Sequence, residues 1–256
     1  MNMASEIGVD ARDNGLVWVT INRPQKHNAL ARPVLDALAA AVRNAGSDER
    51  TRCIMLRGAG DKYFAAGGDL VDLASVRTDA EIDSMADQAT AALDAVRNCP
   101  VPVIAYVNGD ALGGGSELAV ACDLRLIAPH ARIGFIQGRM GITSAWGGGP
   151  DLIALIGPSR AMRMMARAEM INAAQAVAWG LADLEAKDGP DGEDVQKFVK
   201  PILERSALVL RGIKAQTSAW RGNPALSPRR ETERTHLRAT WASAEHWDAV
   251  ERFLAK

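Results

Sequence analysis

Apolar runs short enough for strands alternate with segments of helical period along the first half of this chain, and that alternation leaves few folds open. Leu16–Ile21 is rich in β-branched residues and bounded by Gly15 and Asn22. Residues 32–45 place Leu35, Leu38, Ala39 and Val42 on one helical face, with Gly46 expected beyond the helix end. A short apolar strand is expected at 53–56, a glycine-rich loop at 58–68, and a helix of about five turns at 79–98 that stops before Pro100. Val103–Val107 is apolar throughout and is turned by Asn108 and Gly109. The glycines at 113–115 open a short helix running to about 122, and Leu124–Ile127 follows as a strand. Strands that alternate with helices predict an α/β fold with parallel pairing.

From Ser159 onward the pattern becomes helical, and Pro190 and Gly192 lie in a polar turn. This divides the chain into an expected core at 1–190 and a C-terminal helical extension at 191–256. The tail is too small to bury a core alone, so it is expected to dock on the core or on another subunit.

Composition removes several function classes. Thirty Lys and Arg against 31 Asp and Glu give a net charge of −1, so no global field draws the chain to nucleic acid or a membrane surface. No uncharged stretch reaches the ~18 residues of a membrane helix. The first ten residues have neither the basic nor the apolar region of a signal peptide. Cys53, Cys99 and Cys122 are odd in number and widely spaced, which reads as buried, reduced thiols in a cytoplasmic protein. The phosphate-binding, dinucleotide-binding, zinc-protease and nucleophile-elbow motifs are missing, and the four histidines show no metal-ligand spacing. Chemistry without a resident metal or redox cofactor is expected.

Three segments stand out: Asn22 to Leu30 (NRPQKHNAL), Phe64 to Leu70 (FAAGGDL) and Asn108 to Leu118 (NGDALGGGSEL). The third has a physical reading of its own. A glycine triplet after a buried strand lets backbone approach a ligand closely. The helix behind it offers unpaired N–H groups and a positive dipole end to an oxygen that becomes anionic. Glu117 falls in that helix's first turn, where it either complements the dipole or works as an acid/base.

Taken in order, the three segments resemble the enoyl-CoA hydratase/isomerase (crotonase) superfamily, from about residue 15 to about 184 and more weakly in the tail. The resemblance implies a crotonase-like α/β spiral of repeated ββα units with a C-terminal helical trimerisation extension, assembled as homotrimers or as hexamers built from two trimers. It implies an acyl-CoA thioester as substrate, coenzyme A entering as part of that substrate and no further cofactor. The backbone N–H groups of Gly68 and Gly114 match the family's oxyanion hole, and Glu117 matches its first catalytic glutamate. The resemblance also places Lys26, His27, Ala29, Ala66, Gly67, Asp69, Leu70, Gly113, Met140 and Trp146 along the substrate and CoA path. Lys26 would meet a CoA phosphate or lie solvated in its loop. His27 reads as a surface residue, and Asp69 as the cap of a helix beginning at Leu70.

One position leaves the family pattern. Family hydratases carry a second glutamate in a Pro-Glu pair, and here Ile136 and Gln137 stand in its place. An amide neither takes nor gives a proton at neutral pH, although it can orient water or a polar substrate group. The run Met140-Gly141-Ile142 with Ser144 to Gly148, and the tail segment 241–246, are similar to the ethylmalonyl-CoA decarboxylase branch. Decarboxylation generates the enolate directly and needs one proton donor, for which Glu117 is the candidate. Trp146 would either orient the departing carboxylate or pack in the core. Arg139 reads as a surface residue or a carboxylate anchor. The charged run 227–234 reads as a solvated helix face. Hydration or isomerisation by Glu117 alone, thioester hydrolysis, and acyl-CoA binding without turnover are the competing readings.

Overall fold

The computed structural model describes residues 6–221, Arg234, Thr235, Leu237, Arg238 and 240–255. Strands β1 (Ile7–Ala11), β2 (Leu16–Ile21), β3 (Cys53–Gly58), β5 (Val103–Val107), β7 (Leu124–Ile127) and β10 (Leu184–Glu185) form one sheet in that spatial order. Every neighbouring pair in it is parallel except the β1–β2 hairpin. A second sheet runs β4 (Tyr63–Ala65), β6 (Asp110–Leu112), β8 (Arg132–Gly134), β9 (Ile171–Asn172). The chain passes from the first sheet to the second and on into a helix three times: β3-β4 to α2 (Asp79–Arg97), β5-β6 to α3 (Gly114–Ala121), and β7-β8 to α4 (Gly148–Ala166), the first two helices leading back to the first sheet and the third to β9 of the second. This is the expected spiral of ββα units.

Alternation along β2 explains the layering. Val17, Val19 and Ile21 enter the main core with α1 (Arg32–Ser47), α2 and α3, while Leu16 and Trp18 point to the other face. That second face is closed by Val195 and Val199 of α6 (Glu193–Leu203), beside Met55, Ile104 and Tyr106. Each such buried side chain contributes about 1.5–3 kcal/mol, so α6 is an integral cover of the sheet. The remaining helices are α5 (Ala173–Trp179), α7 (Ala207–Arg221) and α8 (Ala244–Leu254).

The structure corrects several local expectations. Gly46 lies inside α1, where an added Cβ would sit 2.7 Å from Cys99 Sγ, so it serves close packing and does not end the helix. The expected loop at 58–68 contains β4, whose three residues gave no periodic signal. The helix expected at Leu70 is a 3-10 turn at Asp72–Ser75. Strand β1 and the second sheet's short strands were not anticipated, and α4 begins before Ser159. All three cysteines are buried and free, and burial pushes the Cys53 and Cys99 thiols up. Most of the run 227–234 lies outside the described residues. Its last member, Arg234, is held against α2 by Asp87 at 2.7 Å.

Candidate active site

The site is assembled where the three sequence segments meet. Backbone hydrogen bonds join the first two: Leu30 N–H donates to Gly67 O at 2.7 Å and Ala66 N–H to His27 O at 3.1 Å. Asn28, buried and at φ +54°, ties the loop to two others. Its Oδ1 accepts from Arg23 N–H at 3.0 Å, and its Nδ2 donates to Ala59 O and Tyr63 O at 3.0 and 2.8 Å.

Close approach then fixes the glycines. Gly113 takes φ +53°, ψ −117°, a conformation that L side chains rarely adopt. An added Cβ on Gly115 would lie 2.0 Å from Ala65 O, so only glycine lets α3 begin against the second segment. A Cβ on Gly67 would lie 3.3 Å from Gly114 N, which shows how near the two loops run. No carbonyl among the described residues accepts from Gly68 N–H or Gly114 N–H. The Trp146 indole is a wall common to both glycines: a Cβ on Gly68 would meet it at 3.5 Å, and one on Gly114 at 2.2 Å.

Glu117 projects from the first turn of α3 and is 2% exposed. Its Oε1 accepts from Gln137 Nε2 at 2.9 Å, and its Oε2 accepts from the N–H groups of Trp146 and Gly148 at 2.9 and 3.0 Å. Gly148 is required there because a Cβ would lie 2.5 Å from Glu117 Cβ. Gln137 opens a 3-10 turn, Gln137–Met140, that carries the cavity wall onward. Behind Trp146, the buried Arg97 guanidinium donates to Trp146 O at 3.2 Å, to Asp151 at 2.8 Å and to Asp94 at 2.9 Å. The segment that grips Glu117 is therefore anchored from α2.

Of the residues singled out in the sequence, the oxyanion candidates Gly68 and Gly114, Glu117, Gln137 and the ten placed along the substrate path line one cavity of about 570 Å³, and Arg139 does not. Lys26 and His27 are exposed on its rim, with His27 stacked 4.5 Å from Tyr63. Asp69 has a structural arrangement: it pairs with Arg23 at 3.1 Å and accepts from Val71 and Asp72 N–H at 3.1 and 3.4 Å. Arg139 is exposed and donates to Ala168 O at 2.6 Å, outside the cavity. Leu237, Trp241, His246, Phe253 and Leu254 also line the cavity, a contribution the sequence reading did not assign. Its one signal was the similarity across 241–246.

Among the described residues no cluster of three or more His, Cys, Asp or Glu is placed to hold a metal, and no helix is long and apolar enough to cross a membrane.

Two sheets, two glycine N–H groups that no described carbonyl takes and a buried glutamate at one cavity are the arrangement that the resemblance to the crotonase superfamily leads one to expect. The chain matches the enoyl-CoA hydratase/isomerase family over residues 11–256 and belongs to it. It is 34% identical over 215 residues to crotonyl-CoA hydratase of Syntrophomonas wolfei, spanning 83% of this chain and 82% of that protein. It is 28% identical over 247 residues to ethylmalonyl-CoA decarboxylase of Pongo abelii, spanning 95% and 81%. A crystal structure of an enoyl-CoA hydratase/isomerase from Mycobacterium paratuberculosis superposes with a TM-score of 0.87 at 25% identity, covering 98% of this chain and 100% of that one. The protein is thus a crotonase-superfamily enzyme acting on acyl-CoA.

Proposed function

We propose that this enzyme decarboxylates a branched malonyl-type CoA through an enolate held by Gly68 and Gly114. The observation that carries the reading is the partner of Glu117: Gln137 donates to it from the position where a second acid would be needed to add water, while Asp69, the other carboxylate among the described lining residues, is taken up by Arg23 and two N–H groups. In the proposed step the bond from Cα to the carboxylate breaks and its electron pair becomes the enolate. The thioester oxygen takes the charge, and carbon dioxide leaves. Each of the two glycine N–H groups supplies about 3 to 4 kcal/mol of transition-state stabilisation. Glu117, in its carboxylic-acid form, gives one proton to Cα and recovers one from water as product leaves. Trp146 supplies the apolar wall against which the departing carboxylate is desolvated. The ethylmalonyl-CoA decarboxylase relative, which aligns over 95% of this chain, supports the same reading.

Hydration of an enoyl-CoA by Glu117 alone is the second reading, favoured by the higher identity, 34%, to a crotonyl-CoA hydratase. Purified enzyme incubated separately with crotonyl-CoA and with ethylmalonyl- or methylmalonyl-CoA decides between them by mass spectrometry. Loss of carbon dioxide from the second establishes decarboxylation. Gain of water by the first, with the malonyl thioesters intact, overturns it. Exposed Leu208, Val209 and Ile213 on α7 support the expected association into trimers, which sedimentation reads directly.

A further inference from the structure

His246 is a buried titratable group to which the proposed chemistry gives no task. It lies on α8, is 1% exposed and lines the acyl cavity. Its Nδ1 is 2.6 Å from Met140 O, and a carbonyl only accepts, so Nδ1 carries the proton. Nε2 is then a bare acceptor and has no hydrogen-bond partner among the described residues. The ring is fixed between Trp241 and Trp247, at centroid distances of 4.7 and 4.6 Å. Trp241 is itself pinned by a 3.0 Å bond from Nε1 to Val76 O. A rigidly held acceptor on the cavity wall that meets no protein donor is available to a ligand atom.

The surroundings specify which atom. The other polar side chains deep in the cavity are already engaged: Glu117 by three N–H donors, Gln137 by Glu117, and Asp69 by Arg23 and two N–H groups. A fixed charge that acts on the imidazole is the Arg77 guanidinium, 3.0 Å from the centroid of the Trp247 ring. Arg139, on the turn that carries Met140, is directed away to Ala168. Lys26 and His27 stand on the rim, and Asp248, Glu251 and Arg252 of α8 do not line the cavity. An uncharged hydroxyl would gain nothing from the guanidinium, whereas an anion would. Burial, together with Arg77, holds the imidazole below the usual histidine range despite the opposing bond to Met140, so the empty site is neutral at pH 7.5.

We infer that His246 recognises a carboxylate carried by the acyl group, gripping it as an imidazolium–carboxylate pair that forms with uptake of one proton from solvent. The inference rests on the acyl-CoA reading of the cavity and deepens it, and it holds whichever reaction follows.

Calorimetry with CoA thioethers tests it without turnover, because a thioether has no carbonyl to form an enolate. The matched probes are S-butyl-CoA, S-(2-carboxybutyl)-CoA and the chain-end isomer S-(3-carboxypropyl)-CoA, titrated at pH 7.5 in phosphate and in Tris. The dependence of the heat on buffer ionisation counts protons. Close to one proton is expected for at least one carboxylated probe and none for S-butyl-CoA. His246→Asn keeps a donor for Met140 but loses Nε2. It should abolish the uptake and weaken the carboxylated probe about 30-fold or more, with S-butyl-CoA unchanged. His246→Gln offers a neutral donor near the Nε2 position and should recover part of the affinity without uptake. Zero uptake for both carboxylated probes, or equal affinity in wild type and His246→Asn, overturns the inference. Failure of all three probes to bind removes the acyl-CoA reading with it. Proton uptake by an enzyme that leaves ethylmalonyl-CoA intact removes only the decarboxylation.

Discussion

Gln137 Nε2 lies 2.9 Å from Glu117 Oε1, so the side chain opposite the buried glutamate is its hydrogen-bond donor and no second acid. The same carboxylate takes two backbone N–H groups on its other oxygen, from Trp146 and Gly148. At least three donors thus hold this one carboxylate in place beside the cavity.

Glu117→Gln should therefore separate folding from chemistry. The new amide can keep its oxygen on Trp146 and Gly148, and Gln137 can rotate its own amide to offer an oxygen to the new NH₂ group. We expect thermal stability within about 1 kcal/mol of wild type and turnover on the best substrate reduced about 10²- to 10⁴-fold. Circular dichroism melting and product assay on one preparation check both. Unchanged turnover would remove Glu117 as the proton carrier.

Gln137→Glu should move the enzyme between reaction classes. Two carboxyl groups would then meet at hydrogen-bond distance, and like charges so close cannot both ionise, which raises the affinity of the pair for one proton. The variant regains the second acid that water addition needs. Crotonyl-CoA hydration should rise at least about 10-fold, with decarboxylation falling by a similar factor. Measuring both activities across pH 5 to 9 reads the change. An unaltered ratio would mean that Gln137 does not set the reaction.

Much of this site was legible because its signals are local. The wholly apolar run Val103–Val107 gave β5, and the run Leu124–Ile127, apolar but for Arg125, gave β7, both with the limits observed. The glycine triplet placed α3, and with it Glu117, because steric demand at a glycine is written in one residue. What escaped depends on contacts far apart in sequence. Gly46 was taken for a helix end because its neighbours, Cys99 and Pro100, arrive from the far end of α2. Strand β4 is three residues long and acquires its identity only by pairing with β6. His246 reaches Met140 across 106 positions, so no window of sequence shows that it faces the acyl cavity. Nor does any local pattern reveal that Arg97 holds the carbonyl of Trp146.

Gly68 and Gly114, the glycines proposed to hold the enolate oxygen, should respond differently to alanine. At Gly114 the methyl would sit 2.2 Å from Trp146 Cζ3, on a ring that is 7% exposed and has little room to retreat. Overpacking of this kind costs about 1–3 kcal/mol, and displacement of the N–H should lower kcat about 10²- to 10³-fold. At Gly68 the closest atom is Leu73 Cδ1 at 2.8 Å, the free end of a flexible side chain. Gly68→Ala should hold stability within about 1 kcal/mol and keep turnover within a few-fold. Equal loss in both variants would contradict this view of the hole.

Arg97 offers a test of the scaffold behind Glu117. Burial works against its charge, but Asp151 and Asp94 more than offset that and keep it a cation. Arg97→Met removes the cation and leaves Asp151 unpaired in a site where its side chain is 13% exposed. Breaking such a pair costs about 3–5 kcal/mol, which for a chain of this size lowers Tm by about 10 °C. Adding Asp151→Leu should recover part of that loss, because the orphaned charge goes with it. A melting series of the two single variants and the double variant measures the coupling.

The histidine on α8 should leave its mark on stability without any ligand. Burial holds its folded-state pKa below the unfolded value near 6.5. The unfolded chain therefore binds a proton before the folded one does. Stability from this group is intact above pH 6.5 and falls as pH drops from there through the depressed folded value, below which the loss is constant. Carboxylates held low in the fold act further down the scale. Asp72, for which bonds from Arg32 overcome the effect of burial, begins to cost stability only as pH falls below the ordinary carboxylate value of 3.8. Urea unfolding of wild type at pH 7.5, 6.5, 5.5, 4.5, 3.5 and 3.0 should show ΔG decreasing with acid. His246→Gln, which has no proton to bind, should flatten that slope below pH 6.5 and leave the carboxylate-driven decline below 3.8 in place. Parallel slopes in the two proteins would mean that His246 titrates alike in the folded and unfolded chain.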